Sequence, residues 1–350
     1  MILFTADWHI KLGQKNVPVK WATNRYQMFF DQIYELENEC NMHIIGGDLF
    51  DRLPNMEELE LYFKFIRGVK IPTIIYDGNH EATKKNKTFF TQLKQVSRDI
   101  NPLINIVDIS YVDNDLGYGI LPYADLHRKG AIDHFDKSQP LFTHVRGEIP
   151  PHVKPEIDLD LLEDFPVVFA GDLHSHSNTQ RNIVYPGSPM TTSFHRTKVK
   201  TGYLLINENN WEWMWEQFNL PQLLRKTVTN EDEMIPTEFD HTIYEIEGDI
   251  QDLAEVKNSE LLDKKVVKRK SEATLIMDKE MSVQEELVEY LNYILEINPD
   301  HILIKRLADA DASTVQTWSE LLLEQSMLAE GALPDDPAGF VKRMNALFSA

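Results

Sequence analysis

The feature that most constrains this chain is a pattern that occurs five times in roughly the first half of the sequence: a short apolar run followed by Asp, His or Asn. The five segments are "MILFTADWH", "MHIIGGDLFD", "IPTIIYDGNHE", "PLFTHVRG" and "FPVVFAGDLHSH". Short apolar runs ending in polar loops are typical of buried strands. Amphipathic helices are predicted between them at residues 22–40 and over "EELELYFKFIRG", which ends at Gly68. This alternation predicts an α/β layered fold in which helices cover a sheet.

Length and cysteine content restrict the class of protein. A chain of 350 residues predicts two or three units around at least one large core. The only cysteine is Cys40, which excludes an internal disulfide and favours a reducing compartment. No apolar run is long enough to span a membrane, and the first residues do not resemble a signal peptide. We therefore expect a cytoplasmic protein that does not associate with membranes.

The second half of the sequence changes character. "KTGYLLINENNWEWMWEQF" predicts a hairpin, and we expect Trp211, Trp213 and Trp215 to share one strand face in the core rather than to form a base-stacking platform. Proline-bearing loops then precede a second unit with the strands "HTIYEIEGDI" and "SEATLIMD" and the helix "SVQEELVEYLNYILEI". From Ser313 the pattern is helical again, with a possible capping box. The predicted domains are 1–220, 221–308 and 313–350.

The five strand ends offer side chains that bind metals. A single Asp or His after a strand is usually a turn former, but the carboxyl ends of strands in an open α/β sheet border one crevice, where five loops can converge. Oxygen and imidazole ligands suit Mn²⁺, Fe²⁺ or Zn²⁺ rather than a structural zinc site. So many ligands exceed the needs of one ion, whereas two ions with a bridging carboxylate are the usual device for hydrolysing phosphate esters. The candidates are Asp7, His9, Asp48, Asn79, His80, His144, Asp172 and His174.

These motifs carry a family resemblance. "DWH", "GGDLFD", "DGNHE", "FTHVRG" and "GDLHSH" resemble, in order and spacing, the motifs of the calcineurin-like metallophosphoesterases. "GDLFD" and "YPGSPMTTSFHR" make the chain similar to the SbcD and MRE-eleven nucleases, in the form carried by large T5-like tailed phages. The resemblance covers the motifs of residues 1–200. Beyond residue 200, only the order of the predicted domains is similar to the family. It implies a four-layer sandwich of two mixed sheets flanked by helices, a smaller α/β capping domain and a C-terminal helical segment.

The resemblance also implies a role for each site residue. One Mn²⁺ would be held by Asp7, His9, Asp48 and His174. A second would be held by Asp48, Asn79, His144 and residue 172, and Mg²⁺ could replace either ion. His80 would not bind metal but would contact the scissile phosphate and assist the leaving oxygen.

One motif departs from the family pattern. The family has Gly-His-x-His where this chain has "GDLH", so Asp172 stands at the place of a histidine and adds a negative charge. His176 lies nearby and could contribute, although we expect it at the surface. His127, His152 and His195 lie outside the strand-end pattern and are expected to be structural or surface residues. His195 is also in a basic stretch that could face DNA.

The distribution of charge bears on the substrate. A formal net charge of −21 argues weakly against a nucleic-acid partner, but local basic clusters occur near residues 84–87, 196–200 and 264–270. A single cluster of this kind is usually a solvated face. The residues expected to contact DNA are Lys84, Lys85, Lys87, Arg196, Lys268 and Arg269.

Three functions compete. The resemblance favours a metal-dependent DNA nuclease, an exonuclease on duplex ends and an endonuclease on single strands, that acts in recombination, repair or replication. It implies a homodimer whose C-terminal helices bind an SbcC-like ABC-type ATPase. The alternative is a metallophosphoesterase for small-molecule or protein phosphoesters without an ATPase. A catalytically silent scaffold is disfavoured because the ligand set is intact.

Overall fold

The computed structural model describes residues 1–84, 87–151, 153–228 and 233–246, and the single positions Asp311, Trp318 and Phe340. The chain comprises two compact units, Met1–Val267 and Lys268–Ala350. All the elements given below belong to the first unit, and Trp318 and Phe340 in the second are helical. The strand predicted over "SEATLIMD", the helix that follows it and the rest of the predicted tail lie outside the described residues. The three domain boundaries therefore stay predictions.

The described part of the chain contains the following elements. The strands are β1 (Ile2–Thr5), β2 (Met42–Gly46), β3 (Thr73–Tyr76), β4 (Ala82–Lys84), β5 (Lys87–Thr88), β6 (Ile104–Val107), β7 (Tyr111–Asp113), β8 (Tyr118–Leu121), β9 (Leu141–His144), β10 (Val168–Gly171), β11 (Ile183–Val184), β12 (Gly202–Ile206), β13 (Trp213–Gln217), β14 (Leu223–Val228) and β15 (His241–Ile246). The α-helices are α1 (Val19–Leu36), α2 (Met56–Gly68), α3 (Phe90–Ile100) and α4 (Tyr123–Leu126). Short 3₁₀ turns cover Ile132–His134, Leu159–Leu162 and His176–Asn178.

Most of the strands form two mixed sheets. The first has the order β13-β12-β1-β2-β3-β6, with parallel pairing from β1 to β6 and antiparallel pairing of β12 with both β1 and β13. The second has the order β11-β10-β9-β8-β7, in which only the β7–β8 pair is antiparallel. β4 pairs with β5, and β14 pairs in parallel with β15, outside both sheets. The predicted strand over "HTIYEIEGDI" corresponds to β15.

Three apolar clusters define the layers. Phe4 of the first sheet packs against Phe142 and Phe169 of the second, so one core lies between the two sheets. Residues of α1 and α2 such as Phe29 and Phe65 pack in a second core around Trp8, and a third lies between the second sheet and short helical segments. The predicted four-layer α/β sandwich is confirmed.

The helices follow their sequence signals closely. The side chain of Asn55 accepts a hydrogen bond from the backbone N–H of Glu58, whose carboxylate accepts from the backbone of Asn55, so a capping box starts α2. Helix α2 ends at Gly68 as predicted. α1 begins earlier than predicted, directly after Pro18, and gives way at Glu37 to a turn. Pro18 is the N-cap, extended with a ψ of 131°, and its carbonyl accepts the first helical hydrogen bond from the N–H of Ala22 at 3.0 Å.

The tryptophan prediction needs correction. The hairpin is confirmed by the antiparallel register of β12 and β13, but Trp211 precedes β13, with a φ of 62°. Trp211 and Trp215 pack against the core between the sheets, whereas Trp213 is 38% exposed. Trp213 is therefore not a core residue, because β13 is the edge strand of its sheet and only part of its surface is covered.

Sheet topology positions the candidate site. The parallel neighbours β1, β2 and β3 deliver their carboxyl ends to one edge of the first sheet, and β9 and β10 do the same in the second. The two edges meet where His144 Nδ1, at the end of β9, lies 2.9 Å from the carbonyl oxygen of Gly46, at the end of β2. No helix in the described ranges is long and apolar enough to cross a membrane.

Candidate metal centre

Asp48 lies at the centre of the converging side chains. Its Oδ2 is 3.7 Å from His9 Nε2, and its Oδ1 is 3.5 Å from His144 Nε2. His9 Nε2 lies 3.0 Å from His174 Nε2. Asp7 belongs to the same cluster. One of its carboxylate oxygens lies close to ring nitrogens of His9 and His174, and one lies close to the ligand atoms of Asp48 and His144. These side chains come from four different strand ends, as the sequence pattern predicts.

A second group of ligand atoms surrounds His144. The side-chain amide of Asn79 lies 3.0 Å from His144 Nε2, where its nitrogen is the atom that can donate, and Asp172 Oδ1 is 3.8 Å from the same His144 nitrogen. The Nδ1–H of His144 donates to the carbonyl of Gly46, which leaves Nε2 directed at Asn79 and Asp172. The structure thus brings all seven predicted ligands together, with Asp48 between the two groups.

The backbone at this site is held in an uncommon conformation. Seven non-glycine residues in the described ranges have φ in the left-handed region, and four of them are candidate ligands: Asp7 (57°), His9 (46°), Asp48 (49°) and Asp172 (105°). Such conformations cost about 1–3 kcal/mol each and cluster at functional sites. Gly78 fits beside Asp48 because a Cβ there would overlap Asp48 Oδ1.

Buried polar atoms without partners show that these residues fit a cation. Asp7 Oδ2 and His9 Nδ1 are buried and have no hydrogen-bond partner. An isolated buried carboxylate is costly unless a cation or hydrogen-bond donors compensate it. Together with Asp48, Asn79 and His174, they supply the mixed oxygen and imidazole donors that suit Mn²⁺, Fe²⁺ or Zn²⁺.

The pKa shifts reflect burial and crowded carboxylates. Burial, reinforced by Asp48, raises the pKa of Asp7 to about 8. Burial alone would lower the pKa of His144, but Asp48, Asp7 and Asp172 outweigh it and raise that pKa to about 9. Burial and the neighbouring imidazoles hold the pKa of His9 well below its usual value. The carboxylates of the site therefore attract positive charge, while the His9 imidazole stays neutral and able to bind a cation.

His80 borders the cluster, and its ring nitrogen groups with the ligand atoms of His9 and Asp48. Its Nδ1 lies at hydrogen-bond distance from the carbonyl oxygen of Asp51, and its Nε2 is 3.8 Å from Asp48 Oδ2. The carbonyl can only accept, so Nδ1 carries the proton and the ring orientation is fixed. His80 is half-buried and lines the cleft beside the ligands.

Glu81 is a site residue that the sequence pattern missed. Its carboxylate is fully buried and accepts hydrogen bonds from the backbone N–H groups of Asp48 (3.0 Å), Phe50 (2.9 Å) and Gly78 (2.8 Å). It therefore ties the loop after β2 to the loop after β3. The acidic residue at the end of "DGNHE" was the available signal.

A cleft of about 910 Å³ opens over the cluster. Asp48, His80 and Asp172 line its floor, and Lys200 and Trp215 line its wall. His176 lies in this wall too, half-buried and stacked on Trp215 with ring centroids 5.3 Å apart, so it is not a free surface residue as expected. His195 also lines the cleft, whereas His127 lies 3.8 Å from Glu156, and His152 is outside the described residues.

The predicted DNA contacts are only partly described. Lys87 and Arg196 are exposed, and neither is among the residues that line the cleft. Arg196 donates to Thr227 Oγ1 at 3.0 Å and lies 3.6 Å from Glu245, so its guanidinium is engaged within the protein. Lys84 lies in β4, with a side chain outside the described part, and Lys85, Lys268 and Arg269 are also outside it.

Several known proteins are similar to this chain. The model of the calcineurin-like phosphoesterase family matches residues 1–175. The "Probable exonuclease subunit 1" of Escherichia phage T5 is 40% identical over 276 residues, which are 76% of this chain and 84% of that protein. Similar solved structures include an archaeal phosphodiesterase (16% identity, 62% of this chain and 99% of that one, TM-score 0.35) and the TT1561 protein of Thermus thermophilus (11%, 62% and 97%, TM-score 0.39).

A further match concerns a different protein. A stretch of 54 residues, 15% of this chain, is 56% identical to the chaperone protein HtpG of Bordetella avium, of which it spans 9%. HtpG of Pectobacterium atrosepticum matches over 61 residues with 52% identity, across 10% of its length. The family model and the phage relative together show that this chain belongs to the calcineurin-like phosphoesterase family.

Proposed function

We propose that this chain is a metal-dependent DNA nuclease that hydrolyses phosphodiesters at the cluster around Asp48. The observation that supports it best is the convergence of the candidate ligands around Asp48, where Asp48, Asn79, Asp172 and His174 line the same cleft as His80. Divalent ions held there by these residues would supply positive charge for the phosphoryl oxygens and would activate a water molecule. Two Mn²⁺ fit the donor set, and Mg²⁺ is a possible substitute.

The ligands divide between two ions around Asp48. In this proposal Asp7, His9, Asp48 and His174 hold one ion, and Asp48, Asn79, His144 and Asp172 hold the other. The short His9–His174 and His144–Asn79 separations, both 3.0 Å, support this division.

His80 acts on the substrate rather than on the metal. Its Nδ1–H is committed to the carbonyl of Asp51, so Nε2 is the atom available to the scissile phosphate. A protonated Nε2 would donate a hydrogen bond to the leaving oxygen. Nε2 lies 3.8 Å from Asp48 Oδ2, at the edge of the acidic cluster.

DNA is the proposed substrate because the T5 relative is named as an exonuclease subunit. We propose exonuclease action on duplex ends and endonuclease action on single strands, in recombination, repair or replication, in the cytoplasm of the host cell of a phage. Residues 221–308, which include β14 and β15, would form a DNA-binding capping domain. The second candidate, hydrolysis of small-molecule or protein phosphoesters, is favoured by the position of Lys87 and Arg196 outside the cleft.

The word "subunit" in the name of the phage relative supports a multi-subunit assembly. We propose an SbcC-like ABC-type ATPase as the partner, with residues 313–350 as its binding segment and a homodimer as the nuclease form. Association with the ATPase and association between copies of the chain have to be measured separately.

Cleavage of linear duplex DNA with Mn²⁺, compared with a chromogenic phosphodiester, tests the substrate. We expect DNA to be degraded and His80→Gln to abolish this while the protein stays folded. Arg181→Gln is a suitable control, since Arg181 pairs with the surface residues Asp160 and Glu163. Turnover of the chromogenic ester without degradation of duplex or single-stranded DNA would favour the second candidate.

A further inference from the structure

We propose that Arg146 is a positioning residue that holds Asp172 and offsets its charge, so that the two residues work as one unit at the second ion. The proposal rests on the two-ion function proposed above. Arg146 Nε lies 3.2 Å from Asp172 Oδ2, and Arg146 Nη2 lies 3.3 Å from Asp172 Oδ1. The guanidinium thus forms a fork to both oxygens, the geometry that gives arginine–carboxylate pairs their strength and direction.

Sheet register brings the two residues together. His144 and Gly171 are Cα partners at the ends of β9 and β10, so the residues that follow them leave the sheet side by side. The backbone N–H of Arg146 donates to Glu156 Oε1 at 2.9 Å, which fixes the start of this loop. The Asp172 side chain is only 6% exposed, whereas that of Arg146 is 39% exposed and lines the cleft.

The orientation of Asp172 requires support. Its φ of 105° is in the region that side chains other than glycine rarely adopt, and its backbone N–H donates to Asp7 Oδ1 at 3.0 Å. The fork from Arg146 then keeps Oδ1 within 3.8 Å of His144 Nε2. A carboxylate has about four lone-pair positions, so pairing with arginine leaves Oδ1 able to bind a cation as well.

Arg146 also offsets the negative charge of Asp172. Asp7 and Asp48 already place two carboxylates at the cluster, and Asp172 adds a third, while the other candidate ligands are imidazoles and an amide. The Arg146 guanidinium cancels the added charge without occupying a ligand position. With a neutral residue at position 172, the same guanidinium would only repel the ion. The contribution of Arg146 to the affinity for the second ion therefore depends on Asp172.

A four-protein comparison tests this dependence: the wild type, Arg146→Met, Asp172→His and the double variant. Calorimetric titration with Mn²⁺ alone gives the affinity of each ion, and thermal unfolding reports the fold. We expect Arg146→Met to weaken the second ion about 10–100-fold in the wild-type background, the usual scale for losing an outer-shell partner. In the Asp172→His background the same substitution should leave second-ion affinity unchanged or increase it. Arg181→Met, which removes a fork to Asp160 and Glu163 instead, is the matched control.

Each outcome decides a separate question. An equal loss of second-ion affinity in both backgrounds would show that Arg146 acts without Asp172 and would overturn the proposal. So would wild-type affinity in Arg146→Met. A wild-type protein that binds only one Mn²⁺ would instead refute the two-ion function, and the inference with it. Loss of thermal stability in both backgrounds without a change in the affinity of either ion would assign Arg146 a structural role only.

Discussion

Replacement of Glu81 by glutamine tests whether one buried carboxylate holds the metal-binding loops together. Glu81 Oε2 accepts from the backbone N–H groups of Asp48 and Gly78, and Oε1 accepts from Phe50. Glutamine has a single acceptor oxygen. If that oxygen takes the place of Oε2, the amide NH₂ faces the N–H of Phe50, and one buried donor loses its acceptor.

The expected loss follows from these contacts. An unsatisfied buried donor costs about 1–3 kcal/mol, and in a unit of this size each kcal/mol lowers Tm by about 2–4 °C. The loops that Glu81 joins carry Asp48 and Asn79, so Mn²⁺ affinity should fall about 10–100-fold. Burial raises the pKa of Glu81 to about 8, so the comparison belongs above that pH, where the carboxylate is ionised.

Glu58 provides a matched control. It is equally buried and accepts from the backbone of Leu12 (2.9 Å) and Asn55 (3.0 Å) and from Arg52, but it is not among the ligand groups. Glu58→Gln should lose similar stability in a thermal melt while keeping its affinity for Mn²⁺ in calorimetry. If Glu81→Gln keeps wild-type affinity for both ions, or if Glu58→Gln loses as much affinity, the reasoning about Glu81 is wrong.

Two further predictions concern stability and the tail. Burial lowers the pKa of His43 to about 3 from an ordinary value of 6.5. The stability that depends on a neutral His43 is therefore fully present above pH 6.5 and is lost as the pH falls below it. We expect the free energy of unfolding to fall by about 1.4 kcal/mol between pH 7.5 and 5.5. Urea unfolding of the wild type and His43→Gln at both pH values measures this difference, and equal pH dependence of the two proteins would contradict it. Deletion of residues 313–350 should leave Mn²⁺-dependent nuclease activity intact and abolish co-purification with the ATPase and any stimulation by ATP. A truncated protein that still binds the ATPase, or that fails to fold, would refute that assignment, and light scattering shows separately whether the tail joins copies of the chain.

The sequence predicted the parts of the site that depend on local pattern. Each ligand follows an apolar run, and parallel neighbours such as β1 and β2 bring their carboxyl ends to one edge whatever the rest of the fold does. Helix α2 was predictable because Asn55 and Glu58 form its capping box within four residues. These signals lie within single short segments, which is why the layered fold and the candidate ligands could be predicted from the sequence.

The contacts between distant segments could not be predicted from the sequence in this way. Glu81 acts through backbone N–H groups of Asp48 and Phe50, and backbone donors leave no trace in a sequence pattern. Arg146 meets Asp172 only because β9 and β10 are in register. The exposure of Trp213 likewise depends on the position of β13 at the edge of its sheet, which alternation of residue types does not reveal.

The division of labour between Asp48 and His80 is the central claim, and calorimetric titration with Mn²⁺ tests it most directly. Asp48 faces His9 and His144 within 3.7 Å, so Asp48→Ala should bind neither ion with wild-type affinity. His80→Gln should bind two ions as the wild type does and yet cleave no DNA, because in the proposed mechanism His80 contacts the substrate and not the metal. A His80→Gln protein that loses an ion, or an Asp48→Ala protein that keeps both, would contradict the claim.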